Sequence, residues 1–157
     1  ILDIVECFIG KETEELTEAS TIALYTICKK LLDENIKKII ITCYSQGTII
    51  VAKVLQSLHK LGLNKLEFLE KLEIYSFATC ATKMTYIIDE YPYMEHFANE
   101  HDFVAKLGCN CSEDLKDIIK IDGKIYINNN MYGHLFYDHY LHYFNINYPN
   151  SKLLDYV

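Results

Sequence analysis

The sequence predicts an α/β fold, a three-layer αβα sandwich in which helices cover both faces of a mostly parallel sheet. The first observation behind this prediction is that short apolar runs of strand length alternate with longer segments of helical period. The second is that the 157 residues contain no repeat, no low-complexity tract and no linker rich in Pro, Gly or Ser. Residues 1–157 are therefore expected to form a single domain with its own core.

The first half of the chain supplies two strand-and-helix units. Residues 1–9 form an apolar opening that is typical of a strand. Residues 13–34 repeat apolar side chains at helical spacing, with acidic residues near the start and lysines near the end, which suits a helix dipole. Residues 38–43 predict a buried strand, and residues 48–61 predict a second amphipathic helix that Gly62 ends.

The second half of the chain is less regular. Residues 118–121 and 124–128 flank Asp122-Gly123, a dipeptide typical of tight turns, so the two runs are expected to pair as a β-hairpin. The other expected elements are strands over 72–79 and 93–98, and a final helix from Gly133 onward.

Composition and charge argue against several classes of function. Half of the residues are hydrophobic and 24% are charged, as in globular chains. The net charge of −7 and the lack of a basic stripe argue against a nucleic-acid partner. No apolar run is long enough to cross a bilayer, and no G-x-G-x-x-G or P-loop sequence indicates a nucleotide. Because the Cys and His spacings match no zinc site and no disulfide framework, neither a metal nor another cofactor is expected.

The segment Cys43-Tyr44-Ser45-Gln46-Gly47 is the strongest functional signal. It follows an apolar strand and precedes a helix, which is the layout of a nucleophile elbow. A serine at such a corner holds its hydroxyl above the carboxyl edge of a sheet, and the helix N-terminus beneath it offers free N–H groups to an oxyanion. An ordinary helix-capping role for Ser45 is the alternative, but the strand on its other side favours the nucleophile.

A serine nucleophile needs a histidine to remove its proton and a carboxylate to orient that histidine. In chain order, Ser45 is followed by Asp102 and then by His134. Other side chains also qualify by residue type. The alternatives for the acid are Glu100 and Asp89, and the histidines that compete with His134 are His139 and His142, while His96 is expected in the core and His101 at the surface.

Three motifs carry a resemblance that spans about residues 37–141. Tyr44-Ser45-Gln46-Gly47 resembles the Y-S-Q-G elbow of cutinases and related esterases. The segment 99–104 resembles the N-x-x-D-x-V segment that carries the catalytic acid in many lipases, and Gly133-His134-Leu135 resembles the lead-in to their catalytic histidine. The chain is thus similar to α/β-hydrolase fold serine hydrolases of the lipase and esterase type, as a small or N-terminally truncated member.

That resemblance implies a nucleophile in Ser45, an orienting acid in Asp102 and a general base in His134. The expected reaction is cleavage of a carboxylic ester through an acyl-enzyme. The alternatives are a thioesterase or peptidase with the same triad, and a catalytically inactive module that binds a lipid or a partner.

The oxyanion donors implied by the resemblance are the backbone N–H of Gln46 and a second N–H from an earlier loop. Either residues 9–11, around Gly10, supply that loop, or the N-terminal strands that usually carry it are missing. Cys43 stands where many relatives have Gly, in a position that must be small.

The expected substrate pocket is formed by Tyr44 and by residues 81–91, through Met84 and Ile87. Its apolar character favours a small-molecule ester or a lipid, and contact with a lipid surface is expected to accompany a lipid substrate. The oligomeric state and the compartment stay open.

Overall fold

The structure is a computed structural model that describes residues 16–157. Its centre is a four-stranded sheet in the order β1-β2-β4-β6, and every neighbouring pair is parallel. A second, two-stranded parallel sheet joins β3 to β5. The strands are β1 (Ile39–Tyr44), β2 (Leu72–Phe77), β3 (Lys83–Met84), β4 (Tyr93–Asn99), β5 (Lys120–Ile121) and β6 (Lys124–Asn128). The prediction of the α/β class from alternating strands and helices is confirmed.

Helices connect these strands and extend the C-terminal end of the chain. The α-helices are α1 (Glu18–Leu32), α2 (Gly47–Lys60), α3 (Leu66–Leu69) and α4 (Phe144–Asn147). One π-helical segment, Phe136–Leu141, precedes α4, and short 3-10 turns lie at Ala105–Leu107, Glu113–Leu115 and Lys152–Tyr156. No helix within residues 16–157 is both long enough and apolar enough to cross a membrane.

Helix α1 begins later than the sequence pattern predicts. Thr17 has extended backbone angles, and its side-chain oxygen accepts a hydrogen bond from the Ser20 N–H at 3.2 Å. Because this cap satisfies a free amide of the first turn, the helix begins at Glu18 rather than at residue 13. Residues 13–15 lie outside the described part of the chain.

Alternate residues of β2 belong to two different hydrophobic clusters. Ile74 packs with the buried residues of α1 and α2, whereas Tyr75 and Phe77 belong to an aromatic cluster with residues of the C-terminal segments. Successive side chains of a strand point to opposite faces, so the helices α1 and α2 cover one face and the C-terminal segments cover the other. Full burial of such side chains contributes roughly 1.5–3 kcal/mol each.

The predicted hairpin around Asp122-Gly123 is wrong. β5 pairs in parallel with β3, while β6 pairs in parallel with β4, so the turn passes from one sheet to the other. Gly123 has φ +102°, and a Cβ there would lie 2.7 Å from the carbonyl oxygen of Met94. Glycine is required at this position because the two backbones approach each other closely. In the sequence, the same Asp-Gly dipeptide looks like a hairpin turn.

The final helix also differs from the prediction. It begins at Phe136 rather than at Gly133, because Gly133 has φ +95° and Leu135 is extended. Its buried side chain is Tyr140, whereas Leu135 and Tyr137 are 60% and 66% exposed. His134 therefore lies in an irregular segment just before the helix, and that position lets it reach across to β1.

The strand predicted over residues 1–9 lies outside the described residues. Within residues 16–157, β1 is a terminal strand of the four-stranded sheet.

Candidate active site

Ser45 lies at a sharp corner between β1 and α2. Its φ of +53° is left-handed, a conformation that side-chain-bearing residues rarely adopt and that costs on the order of 1 kcal/mol or more. Its N–H still donates to the carbonyl of Phe77 at 2.9 Å, so the last β-type bond of the strand is kept. The chain turns within one residue, and the Ser45 side chain is left at the carboxyl edge of the sheet.

The carbonyl of Ser45 is held by three donors, which stabilise the strained corner. The backbone N–H of Thr48 donates to it at 3.0 Å and the Thr48 hydroxyl at 2.6 Å. The Cys80 thiol lies 3.4 Å from the same oxygen, and the Cys80 N–H donates to the Thr48 hydroxyl at 3.2 Å. Thr48 is fully buried, and the loop after β2 is thereby joined to the first turn of α2.

Cys43 fits beneath the corner without crowding. A Cβ placed on Gly47 would meet the Cys43 Cβ at 3.9 Å, an ordinary van der Waals contact. Burial, followed by the nearby Cys80 thiol, raises the pKa of Cys43 to about 12. The thiol is therefore a small apolar side chain here rather than a nucleophile.

His134 is placed by the glycine before it. Gly133 has φ +95°, and a Cβ at this position would lie 2.3 Å from the ring of His139. The Gly133 carbonyl accepts a hydrogen bond from the Asn99 side-chain amide at 3.2 Å, and this bond ties the loop to the end of β4. The Gly-His dipeptide thus has a physical role, since only glycine allows the loop to lie against His139.

Tyr44, predicted to line the substrate pocket, contacts His134 directly. The Tyr44 hydroxyl donates to the backbone carbonyl of His134, and the two rings stack with centroids 4.9 Å apart. Phe136 stacks on the Tyr44 ring at the same separation. Burial, followed by the charge of Asp102, raises the pKa of the Tyr44 hydroxyl, so it remains a donor. Tyr44 therefore supports the histidine from one side.

Asp102 is 1% exposed and follows the end of β4. Its backbone N–H donates to the Asn99 carbonyl at 3.1 Å, and its Oδ1 accepts from the Val104 N–H at 2.8 Å. The local turn therefore fixes one carboxylate oxygen. The N-x-x-D-x-V pattern has a structural account in these contacts, because Asn99 anchors the histidine loop and Val104 contributes its amide.

The structure brings Ser45, Asp102 and His134 together. His134 Nδ1 lies 2.9 Å from Asp102 Oδ2 and 3.1 Å from Oδ1. His134 Nε2 lies 3.0 Å from the Ser45 Oγ. A carboxylate can only accept, so Nδ1 carries the proton of the neutral imidazole and Nε2 accepts from the serine hydroxyl. The histidine can therefore remove the Ser45 proton, and its side chain is 35% exposed, so a substrate can approach.

The other carboxylates and histidines serve different contacts. Glu100 accepts from the Asn130 N–H at 2.6 Å, and Asp89 is exposed. The Nδ1 atom of His139 accepts from the Leu135 N–H at 2.9 Å. His142 is exposed and packs edge-on against Tyr143, while His101 stacks on Tyr132.

His96 is a buried core histidine, as the sequence predicts. Its Nε2 donates to the Asp122 carbonyl at 2.8 Å, and its Nδ1 accepts from the Ser76 hydroxyl at 2.6 Å. Burial lowers its pKa to about 4, so the ring is neutral near pH 7.

Two further residues predicted to line the pocket are Met84 and Ile87. Met84 is 1% exposed and packs in the core cluster with α1 and α2. Ile87 borders a cavity of about 410 Å³ that runs along α2 from Ala52 to Lys60.

The first predicted oxyanion donor, Gln46, lies within the described residues. The Gln46 N–H follows Ser45 directly at the start of α2, and no acceptor within residues 16–157 takes its hydrogen bond. The other predicted donor, Gly10, lies outside the described residues. The next amides of α2 are already used, because the N–H groups of Thr48 and Ile49 donate to the carbonyls of Ser45 and Gln46 at 3.0 Å each.

The described residues 16–157 contain no group of three or more side chains that could hold a metal ion. Their cysteines are all free thiols.

Sequence reasoning missed one buried side chain that contacts the site. The hydroxyl of Tyr140 donates to Asp102 Oδ2 at 2.6 Å and accepts from the Asn99 N–H at 3.2 Å. Its position in a tyrosine-rich helical stretch gave no signal, because the contact depends on a π-helical turn that the sequence pattern does not reveal.

Comparisons with known proteins do not identify a family for this chain. No family model, no curated protein and no solved structure matches it. Its function is therefore inferred from its own residues and their geometry.

Proposed function

We propose that this protein is a serine hydrolase that cleaves carboxylic esters, with Ser45 as nucleophile, His134 as general base and Asp102 as orienting acid. The observation that carries the proposal is the continuous pair of hydrogen bonds from Ser45 through His134 to Asp102. We further propose that residues 1–157 form one α/β-hydrolase domain with the three-layer arrangement. The order of the triad in the chain and the left-handed serine corner support this assignment.

Acylation begins when His134 Nε2 accepts the Ser45 hydroxyl proton as Oγ attacks the ester carbonyl carbon. The C=O π electrons move to oxygen, and the Gln46 N–H stabilises that oxyanion. When the tetrahedral intermediate collapses, the C–O bond to the leaving group breaks. His134 gives the proton to the departing alkoxide, and an acyl-Ser45 ester remains.

Deacylation repeats these steps with water as the nucleophile. His134 removes a proton from the water as its oxygen attacks the acyl carbon, and the returning proton releases Ser45. Asp102 stabilises the transient imidazolium and keeps its Nδ1 proton directed inward. One ester and one water thus give one acid and one alcohol, and no cofactor is consumed.

The test is hydrolysis of p-nitrophenyl esters of increasing acyl length by the wild type and by Ser45→Ala. We expect Ser45→Ala to lower kcat/KM by at least about 10³-fold with the fold unchanged. Ser112→Ala is the matched control, because Ser112 is exposed and its side chain caps no helix. It should keep wild-type activity.

A folded wild type that hydrolyses no ester in the series, whatever the acyl length, would contradict the proposal. Binding without turnover would then favour an inactive module for a lipid or a partner. Turnover of thioesters or peptide bonds alone would keep the triad and change the leaving group.

A further inference from the structure

We propose that Tyr140 is a positioning residue for this site, holding Asp102 in the orientation that His134 requires and sharing the charge of its carboxylate. The proposal rests on the proposed function. It adds to the site a side chain that takes part in none of the proposed chemical steps. Its basis is the hydrogen bond of 2.6 Å from the Tyr140 hydroxyl to Asp102 Oδ2.

The carboxylate of Asp102 has three donors around it. His134 Nδ1 lies near both oxygens, the Val104 N–H reaches Oδ1, and the Tyr140 hydroxyl reaches Oδ2. Val104 and Tyr140 thus hold the two oxygens separately. Rotation of the carboxylate about its Cβ–Cγ bond would break both contacts, so the oxygen facing Nδ1 is fixed before any substrate binds.

The hydroxyl of Tyr140 has no other carboxylate or carbonyl acceptor in the described structure. It accepts from the Asn99 N–H at 3.2 Å, and this contact orients its proton toward Asp102. Tyr140 itself is fully buried and packs edge-on against Phe77. Burial, followed by the bond to Asp102, raises the pKa of the phenol, so it donates throughout the working pH range.

The hydrogen bond from Tyr140 also lowers the negative charge on the Asp102 carboxylate, and this effect is distinct from the orientation of the carboxylate. A phenol that donates to Asp102 withdraws negative charge from the carboxylate, which moderates how strongly Asp102 holds the proton on His134. Removing the phenol concentrates that charge on Asp102, which stabilises the imidazolium of the intermediate more strongly. Loss of orientation slows the reaction, while loss of charge sharing moves its acid limb upward.

Other titratable groups surround the pair and set the background of any pH profile. They are Tyr44, Cys80, His101, Cys109 and His139. Burial raises the pKa of the Cys109 thiol to about 11, and it also raises the pKa of the Tyr44 hydroxyl. Both groups therefore remain neutral near pH 7. A comparison between variants that keep all five cancels their contributions.

Tyr148→Phe is the matched control for Tyr140→Phe. Both substitutions remove one buried phenolic oxygen from the same aromatic cluster. The Tyr148 hydroxyl, however, has no hydrogen-bond partner among the described residues, whereas the Tyr140 hydroxyl bonds Asp102. The pair therefore separates the effect of the bond from the effect of changing a core tyrosine.

The experiment measures the second-order rate of labelling of Ser45 by a fluorophosphonate between pH 5 and pH 9. We expect Tyr140→Phe to be labelled at about one tenth of the wild-type rate or less at the plateau. This is the loss expected for one hydrogen bond to a charged group. Its acid limb should move to higher pH, and Tyr148→Phe should match the wild type. Circular dichroism and thermal unfolding establish that each variant is folded.

Equal plateau rates and equal acid limbs for the two tyrosine variants would overturn the inference. A loss of rate that only follows a loss of folded protein, with the limb unmoved, would also overturn it, because a structural role predicts that result. Failure of the wild type to label at any pH would instead overturn the proposed function, and the inference with it.

Discussion

The Oγ atom of Ser45 lies 3.0 Å from Nε2 of His134, although 89 positions separate the two residues in the chain. The contact joins the corner after β1 to an irregular loop in front of the π-helical segment, and neither element is regular at that point. Three features hold the two ends in place: the left-handed backbone of Ser45, the left-handed backbone of Gly133 and the stacking of Tyr44 on the imidazole. The site is therefore built from strained or irregular backbone placed on a rigid sheet.

Asp102→Asn should abolish most of the reactivity of Ser45 without unfolding the protein. An amide is nearly the same size as a carboxylate, but it neither stabilises an imidazolium nor fixes the Nδ1 tautomer. We expect the rate of fluorophosphonate labelling to fall by about 10³–10⁴-fold. Asp138→Asn is the control, because Asp138 is exposed in the nearby π-helical segment. Wild-type labelling by Asp102→Asn would show that the carboxylate has no role.

Gly133→Ala should damage both stability and activity. The new Cβ would lie 2.3 Å from the His139 ring, and the backbone has φ +95°. We expect a loss of roughly 2 kcal/mol or more in the free energy of unfolding, and a displaced His134. Gly62→Ala has a similar positive φ of +70° with open space around it, so it should cost only about 1 kcal/mol and leave labelling unchanged. Equal losses in the two variants would contradict this account of the Gly-His loop.

Glu73 lies at the end of the sheet opposite Ser45, and its buried carboxylate should make the protein less stable at low pH. Its carboxylate is buried and accepts from Lys38, Lys152, Tyr75 and Tyr156 at 2.6–2.9 Å. Burial alone would raise its pKa, but these donors outweigh burial and hold the pKa at about 2. Because the pKa in the folded state lies below the ordinary value of 4.5, the contribution is fully present above pH 4.5 and is lost as the pH falls toward 2.

Glu73→Gln should therefore lower the free energy of unfolding at pH 7 by about 3 kcal/mol, since it leaves two lysines without their buried partner. It should also flatten the stability curve between pH 4.5 and pH 2, as measured by urea unfolding at each pH. Glu70→Gln, which removes an exposed carboxylate and keeps the backbone carbonyl that accepts from Lys38, should change neither quantity. A curve for Glu73→Gln as steep as that of the wild type would show that other groups cause the acid limit.

Local chain signals predicted the parts of the site that local chemistry determines. The corner at Ser45 follows from an apolar strand that runs straight into an amphipathic helix, and Asp102 follows from the turn that ends β4. His134 was recognised because Gly133-His134-Leu135 resembles the lead-in to a catalytic histidine, although a helix was predicted where Gly133 instead has φ +95°. These three positions were recognisable because each occupies the end of a strand or a turn.

Long-range packing determined the parts that the sequence did not predict. Asp122-Gly123 has the composition of a hairpin turn, but its strands pair with β3 and β4 rather than with each other. Met84 and Ile87 both have the apolar character of a pocket wall, but Met84 packs in the core cluster and Ile87 borders a cavity along α2. The residue type shows that a side chain is apolar, but it does not show against which apolar surface that side chain packs.

The most direct test of the central claim is fluorophosphonate labelling of the wild type, with the labelled residue located by mass spectrometry of the digested protein. An activated serine attacks phosphorus and displaces fluoride, whereas an ordinary surface serine does not. The account predicts a single adduct on Ser45, absent from Ser45→Ala and unchanged in Ser112→Ala. A folded wild type that carries no adduct, or that carries it on another residue, would contradict it.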